Sequence, residues 1–349
     1  MSGSRSPARC IEAMVEQHWA LSIAAAAATA SLSIALIFLI RPLLRRHLVA
    51  HPNARSAHRV ETPQGAGIAV TLSAALVCAV LGWFWDGLFP SGITYLLAAA
   101  LGLMILGTAD DAKDIAVVWR LLGQMLAAIA IVLTLPPDVR VLPDAVPLLI
   151  ERSLVVSGSV WLINAVNFLD GLDWMTVVEV VPITLAVALL QSFGLVPPGI
   201  GLLAFALLGA MVGFAVFNKH PATIFLGDAG SLPIGLCLAY MLIYVAASDL
   251  TAALLLALYI LADATVTLMR RAAAGESILM AHRSHFYQRA VGAGLTVPQV
   301  TARIFILGMM LAFFAVTAAL TPSLTIDLIL LLGGAAATAL TLYRLGQGR

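Results

Sequence analysis

The chain has 349 residues, of which 61% are hydrophobic and only 11% charged, with a formal net charge of +1. Soluble domains carry about a quarter charged residues, so this composition excludes a water-soluble globular protein. It gives no basic surplus for a nucleic-acid partner, and two of its three cysteines (Cys78 and Cys237) lie inside apolar runs, suiting neither a disulfide framework nor a metal site.

Apolar runs recur along nearly the whole length, and about 20 apolar residues suffice to cross a bilayer as a helix. Taken in order, the predicted spans are 19–40, 66–85, 92–108, 117–135, 148–165, 176–194, 198–217, 229–247, 250–269, 303–320 and 324–343. The expected fold is therefore an all-α, polytopic membrane helix bundle of about eleven transmembrane helices, or ten if one run fails to span. Residues 1–349 form a single membrane domain, with 1–18 an N-terminal tail and 270–302 a long loop. The first span runs into the basic stretch "RPLLRRH" rather than a cleavage site, so it reads as an anchor and not a secretory signal.

Basic residues stay on the cytoplasmic side of a membrane. With the N-terminus outside, 15 of the Lys and Arg residues fall in inner connections and 4 (Arg5, Arg9, Arg140 and Arg152) in outer ones. This predicts a multi-pass protein of the inner, or plasma, membrane. Every polar-rich connection then faces the cytoplasm, and the chemistry belongs on that face.

The third span ends in "GTADDAKDI", which places Asp110, Asp111 and Asp114 within five positions. A carboxylate at mid-bilayer costs about 2.5–3.5 kcal/mol even on a lenient scale, so the three sit at the interface or in a wet cavity. A solvated helix end is the plain reading; a Mg²⁺ ion bridging to phosphates would explain why three acids gather, since it takes hard oxygen ligands. "NAVNFLDGLD" adds Asn164, Asn167, Asp170 and Asp173. If the helix continues, the first three share one face at i, i+3 and i+6. Interhelical polar glue is the competing account. "FLGDAGS" sets Asp228 between glycines just before the eighth span, as an N-cap or a phosphate-approaching acid. "MAHRSHFYQRA" supplies His282, Arg283 and His285. Two histidines without a third ligand do not make a zinc site, and cations facing a diphosphate fit better. "RSAHRVETPQGAG" contributes Arg55 and Arg59, and Asp263 stands inside the ninth span, where an acid is functional or paired.

These motifs, in this order, resemble those of the polyprenyl-phosphate N-acetylhexosamine-1-phosphate transferases, glycosyltransferase family 4, over most of the chain. The resemblance implies transfer of a sugar-1-phosphate from a UDP-N-acetylhexosamine to a polyprenyl phosphate such as undecaprenyl phosphate. The products would be a polyprenyl-diphosphate sugar and UMP, with Mg²⁺ (or Mn²⁺) as cofactor. It implies that Asp110 and Asp111 activate the lipid phosphate and that Asn167 and Asp228 hold the metal. Asn164, Asp170, Asp173, His282, Arg283 and His285 would line the nucleotide-sugar site, and Arg55, Arg59 and Asp114 would meet the lipid phosphate. A homodimer is compatible with such a bundle.

Two departures stand out. The family usually continues the second motif as Asp-Gly-x-Asp-Gly, but Trp174 follows Asp173 here. The basic loop also lacks a three-histidine cluster, with Tyr287 near the missing one. The histidine loop points away from the muramoyl-pentapeptide branch and toward enzymes that start O-antigen-like surface glycans. The indole of Trp174 would stack on a base or sugar, or plug the site. Three alternatives stay open: a transporter, which would bind near the midplane between repeats; an intramembrane prenyltransferase, which would carry two long aspartate-rich motifs; and an inactive homologue.

Overall fold

Lipid offers no hydrogen bonds to a peptide backbone, so apolar runs of this length must satisfy theirs internally, as helices. The computed structural model describes residues 7–50, 61–85, 87–277 and 283–348, with side chains from residue 19 onward. Among the described residues the helices are α1 (Pro7–His47), α2 (Gly67–Phe84), α3 (Ile93–Lys113), α4 (Val117–Leu133), α5 (Leu148–Leu169), α6 (Met175–Ser192), α7 (Pro198–Asn218), α8 (Asp228–Ser248), α9 (Leu250–Ala273), α10 (Phe286–Gly292), α11 (Val297–Leu320) and α12 (Leu324–Gly346). Ten are long and apolar enough to cross a membrane. The eleventh predicted span is α4, apolar but only 17 residues long. The protein is a multi-pass membrane helix bundle.

Three boundaries differ from expectation, each for a local reason. Helix α1 begins at Pro7, so most of the predicted tail 1–18 is helical; its polar residues hid it from an apolar count. Helix α9 runs on to Ala273 because Arg270 and Arg271 occupy its last turn, where cations meet the negative end of the helix dipole. Helix α11 starts at Val297, well before residue 303. The Thr296 side chain accepts from Gln299 N at 3.4 Å while Gln299 Oε1 accepts from Thr296 N at 2.9 Å, a reciprocal cap. The predicted loop 270–302 is therefore shorter, and it contains α10.

Helix α8 occupies the centre and is buried along almost its whole length, between α3 and α5, with α2 and α9 alongside. Helix α7 lies closely on α1. A Cβ at Gly209 would meet the Ala26 carbonyl oxygen at 2.1 Å, and one at Gly213 the Ala30 carbonyl oxygen at 2.6 Å. That is the small-xxx-small spacing by which membrane helices bring their backbones together. Ser33 adds a hydrogen bond across this seam, its Oγ donating to Ala210 O at 3.1 Å.

Polar structure collects at one end of the bundle. Strands β1 (Val49–Ala50) and β2 (Thr62–Pro63) pair antiparallel there, and Gln64 bridges in parallel to Phe225. The amides of Ala66 and Gly67 donate to the carbonyls of Phe225 and Leu226 at 3.0 and 2.9 Å. The entry to α2 is thereby stitched to the segment that leads into α8. At the other end, Arg140 pairs with the fully buried Glu151, whose second oxygen accepts from Val141 N at 2.6 Å. This staples the connection between α4 and α5.

Candidate active site at the polar end of the bundle

Helix α3 delivers Asp110 and Asp111 in its last turn, and α8 presents its N-terminus directly opposite. Asp111 Oδ1 accepts from Asp228 N at 3.0 Å and its Oδ2 from Ala229 N at 3.2 Å. These are first-turn amides, which lack partners inside the helix, so Asp111 supplies a cap from a neighbouring helix. The chain reaches this position through Gly227 at φ +75°, a left-handed turn that suits glycine.

Asp110 is nearly buried and accepts from Ile115 N at 2.6 Å. Its other oxygen accepts from Arg120 Nη1 at 2.6 Å, and the same nitrogen lies 3.4 Å from Asp228 Oδ2. One guanidinium in the first turn of α4 therefore serves acids from two different helices. Asp228 Oδ1 accepts from Asn167 Nδ2 at 2.7 Å, and Asn167 also donates to Ser231 Oγ at 2.9 Å. With both amide hydrogens committed, the Asn167 carbonyl oxygen has no protein partner among the described residues.

These are hard oxygen donors of the kind Mg²⁺ takes. Among the described residues no three His, Cys, Asp or Glu side chains form a ready-made cage. Mg²⁺ instead takes one or two carboxylates plus substrate phosphates and water. The Asp228 carboxylate beside the spare Asn167 carbonyl oxygen fits that donor set.

A second cluster lies beside the first, where α5 ends. Asp170 terminates the helix at φ −74°, ψ 57° and accepts from Thr176 Oγ1. The helix stops at Leu169, so Asp170 does not continue the helical face that Asn164 and Asn167 share. Asn164 instead bridges to α4, donating to Gln124 Oε1 at 2.5 Å, the polar glue weighed above. Burial, opposed by the Thr176 hydrogen bond and reinforced by the negative charge of Asp111, pushes the Asp170 carboxyl up to about 7. Asp173 faces the segment after α7: its Oδ2 accepts from Ala222 N at 3.0 Å and lies 2.6 Å from His220 Nδ1.

Residues 93–246, the stretch carrying Asp110, Asp111, Asn167, Asp170, Asp173 and Asp228, match the family model described as Glycosyl transferase family 4. The chain is 29% identical over 307 residues to the decaprenyl-phosphate N-acetylglucosaminephosphotransferase of Mycobacterium tuberculosis (strain ATCC 25618 / H37Rv), covering 76% of this chain and 74% of that protein. It is 26% identical over 314 residues to the probable undecaprenyl-phosphate N-acetylglucosaminyl 1-phosphate transferase of Bacillus subtilis (strain 168), covering 84% of each. A phospho-N-acetylmuramoyl-pentapeptide-transferase of Desulforudis audaxviator (strain MP104C) is 30% identical over 210 residues, 52% of this chain and 62% of that protein. The family match and these relatives support a place for the chain in glycosyl transferase family 4. The chain is a sugar-phosphate transferase.

The remaining expected residues fall into place around this family 4 site unevenly. Arg55, Arg59 and His282 lie outside the described residues. Asp114 caps α3 in a left-handed conformation (φ 49°) with its side chain exposed. Arg283 is exposed. His285, expected to meet substrate, is instead 2% exposed and sits with its Nδ1 3.0 Å from Asp263 Oδ1. That carboxylate also accepts from Phe286 N at 3.2 Å and Thr267 Oγ1 at 3.2 Å. Asp263 is the paired kind of intramembrane acid, and it anchors the start of α10 in the bundle.

Trp174 occupies φ +65°, a left-handed conformation unfavourable to any side chain with a Cβ. Its backbone N donates to Asn218 Oδ1 at 2.7 Å and its indole to Ala215 O at 2.8 Å, so the ring lies along the last turn of α7. The left-handed backbone is a physical reason for the usual family glycine at this position. Trp174→Gly is expected to raise thermal stability relative to Trp174→Ala by about 1 kcal/mol. Both variants lose the indole, but only glycine relieves the backbone. Equal melting temperatures for the two in detergent would refute the strain.

Three contributors were not expected from sequence: Arg120, His220 and Asn218. Arg120 read as one more inner-face cation. Its position, two to three turns after the acids across a tight connection, was the available signal. Asn218 ends α7 and His220 follows it in "NKHPATIFLGD", where polar residues crowd a helix end within ten positions of Asp228.

Proposed function

We propose that this transferase moves an N-acetylhexosamine-1-phosphate from a UDP-sugar to a polyprenyl phosphate, undecaprenyl phosphate being the probe of choice. It would do so at the cytoplasmic face of the inner membrane. A lipid phosphate oxygen bonds to the phosphorus that bears the sugar, and the bond from that phosphorus to the UMP oxygen breaks. The carrying observation is the convergence of Asp110, Asp111, Asn167, Asp228 and Arg120 where α3, α4, α5 and α8 meet. Phosphoryl transfer asks for positioning and charge neutralisation, and this cluster holds both signs of charge in fixed geometry. The longest-covering relatives above are named for polyprenyl-phosphate and N-acetylglucosamine phosphate chemistry, which supports the same reading.

Asp228 and Asn167 would hold Mg²⁺, with Mn²⁺ as substitute; when bound, the ion neutralises diphosphate charge. Arg120 bridges Asp110 and Asp228, offsetting their mutual repulsion, and adds a cation where phosphates meet. Asp110 accepts a proton from the lipid phosphate. Asp170 and Asp173 line the nucleotide side, and Arg283 faces outward as a cation at the same end. The product would begin a surface glycan of the O-antigen type.

The test supplies a panel of labelled UDP-N-acetylhexosamines to inverted membrane vesicles containing the protein, undecaprenyl phosphate and Mg²⁺. Label should enter the lipid fraction with release of UMP, and intact cells should not use external donor. Failure of every donor, or uptake of label without lipid product, would overturn the proposal.

A further inference from the structure

The structure assigns His220 as a positioning residue that fixes Asp173 for the nucleotide donor. This inference rests on the proposed function, in which Asp173 lines the donor side. His220 lies just past the end of α7, with its side chain 45% exposed, while Asp173 is only 14% exposed. The histidine ring and the Ala222 amide both address one oxygen, Asp173 Oδ2, at 2.6 and 3.0 Å. Two donors on one oxygen stop the carboxylate rotating. Its second oxygen, Oδ1, has no protein partner among the described residues and is held in one direction.

An ionised carboxylate only accepts hydrogen bonds, so Oδ1 suits an N–H or O–H group and repels a phosphate. The nucleoside half of a nucleotide offers such donors and the diphosphate half does not. The same corner is tied down further. Asn218 Nδ2 donates to Ile224 O at 2.9 Å and its Oδ1 accepts from Trp174 N at 2.7 Å. The 219–227 segment that carries His220 leads into Asp228. His220 therefore sits where the nucleoside side and the phosphate side of the site share one stretch of chain.

The experiment uses the full-length purified enzyme and compares wild type, His220→Phe, His220→Gln and Asp173→Asn, together with His220→Phe in the Asp173→Asn background. Donor KM and kcat are measured by transfer, and UMP affinity by titration calorimetry without turnover. His220→Phe is expected to raise donor KM and weaken UMP by about tenfold each, the loss of one charge-assisted hydrogen bond, with kcat changing by less than about threefold. His220→Gln, whose amide also donates, should recover most of the loss. In the Asp173→Asn background, His220→Phe should add no more than about twofold. Wild-type UMP affinity in His220→Phe, or an equal loss with and without Asp173, would overturn the assignment, as would a lower melting temperature with UMP affinity intact. Failure of wild-type transfer from every donor would instead count against the proposed function, and the UMP titration still reads the His220 effect.

Discussion

Asp228→Ala is expected to lower transfer by on the order of 10³-fold while leaving the protein folded and inserted, the scale on which charge-stabilising groups act in phosphoryl transfer. The substitution removes the acceptor for Asn167 and one of the two acids on Arg120. It leaves the α8 cap intact, because Asp111 binds backbone amides there and not the Asp228 side chain. Stability and catalysis are therefore separable at this position. Activity is measured across a Mg²⁺ titration alongside thermal unfolding. Full activity at saturating Mg²⁺ would move the metal to other residues, and a collapse in melting temperature would recast Asp228 as structural.

A smaller change in the chain should also have a large effect. Gly107→Ala places a methyl group 2.2 Å from the Asp228 carbonyl oxygen and 2.6 Å from Ala229 N. Both obstacles are backbone, so no side chain can swing aside and α8 itself must move. Overpacking of this kind costs about 1–3 kcal/mol. The displaced atoms include the helix turn that Asp111 caps and that carries Asp228, and a misplacement of about 1 Å can cost about 10²-fold in rate. Gly102, earlier on α3, faces open space, so Gly102→Ala should stay within about 0.5 kcal/mol of wild type and retain activity. Similar rates for Gly107→Ala and Gly102→Ala would show that α3 and α8 adapt independently of the site.

The helices were legible because lipid imposes one rule, a long apolar run, and that rule leaves its trace in composition. What it does not mark are ends made by polar residues, such as the start of α1 at Pro7 or the cap at Thr296. The acids were legible for a related reason: carboxylates are costly in an apolar chain and announce themselves. Their partners were not, since which donor meets which acid depends on helices distant in sequence. Arg120 looked like topology, and only the meeting of α3, α4 and α8 makes it part of a charge cluster. His285 looked like a substrate contact, and only the approach of α9 shows it buried on Asp263. Trp174 was noticed as a departure, but its meaning required a backbone angle that no motif contains.

The length of α4 has a consequence for the membrane. Its 17 residues reach about 25 Å, less than the roughly 30 Å of hydrocarbon in a typical bilayer. Trp119, Leu122, Leu126 and Leu133 are exposed along it, an apolar face that this short helix would turn to lipid. A short hydrophobic length is met by local thinning of the bilayer. Headgroups beside α4 would then be drawn toward the depth of Arg120, and under the proposed function a phosphate carried at the end of a long isoprenoid would meet the charge cluster without climbing out of its leaflet. Transfer rates in bilayers of graded acyl length should accordingly fall as the membrane thickens, while affinity for the water-soluble nucleotide stays level.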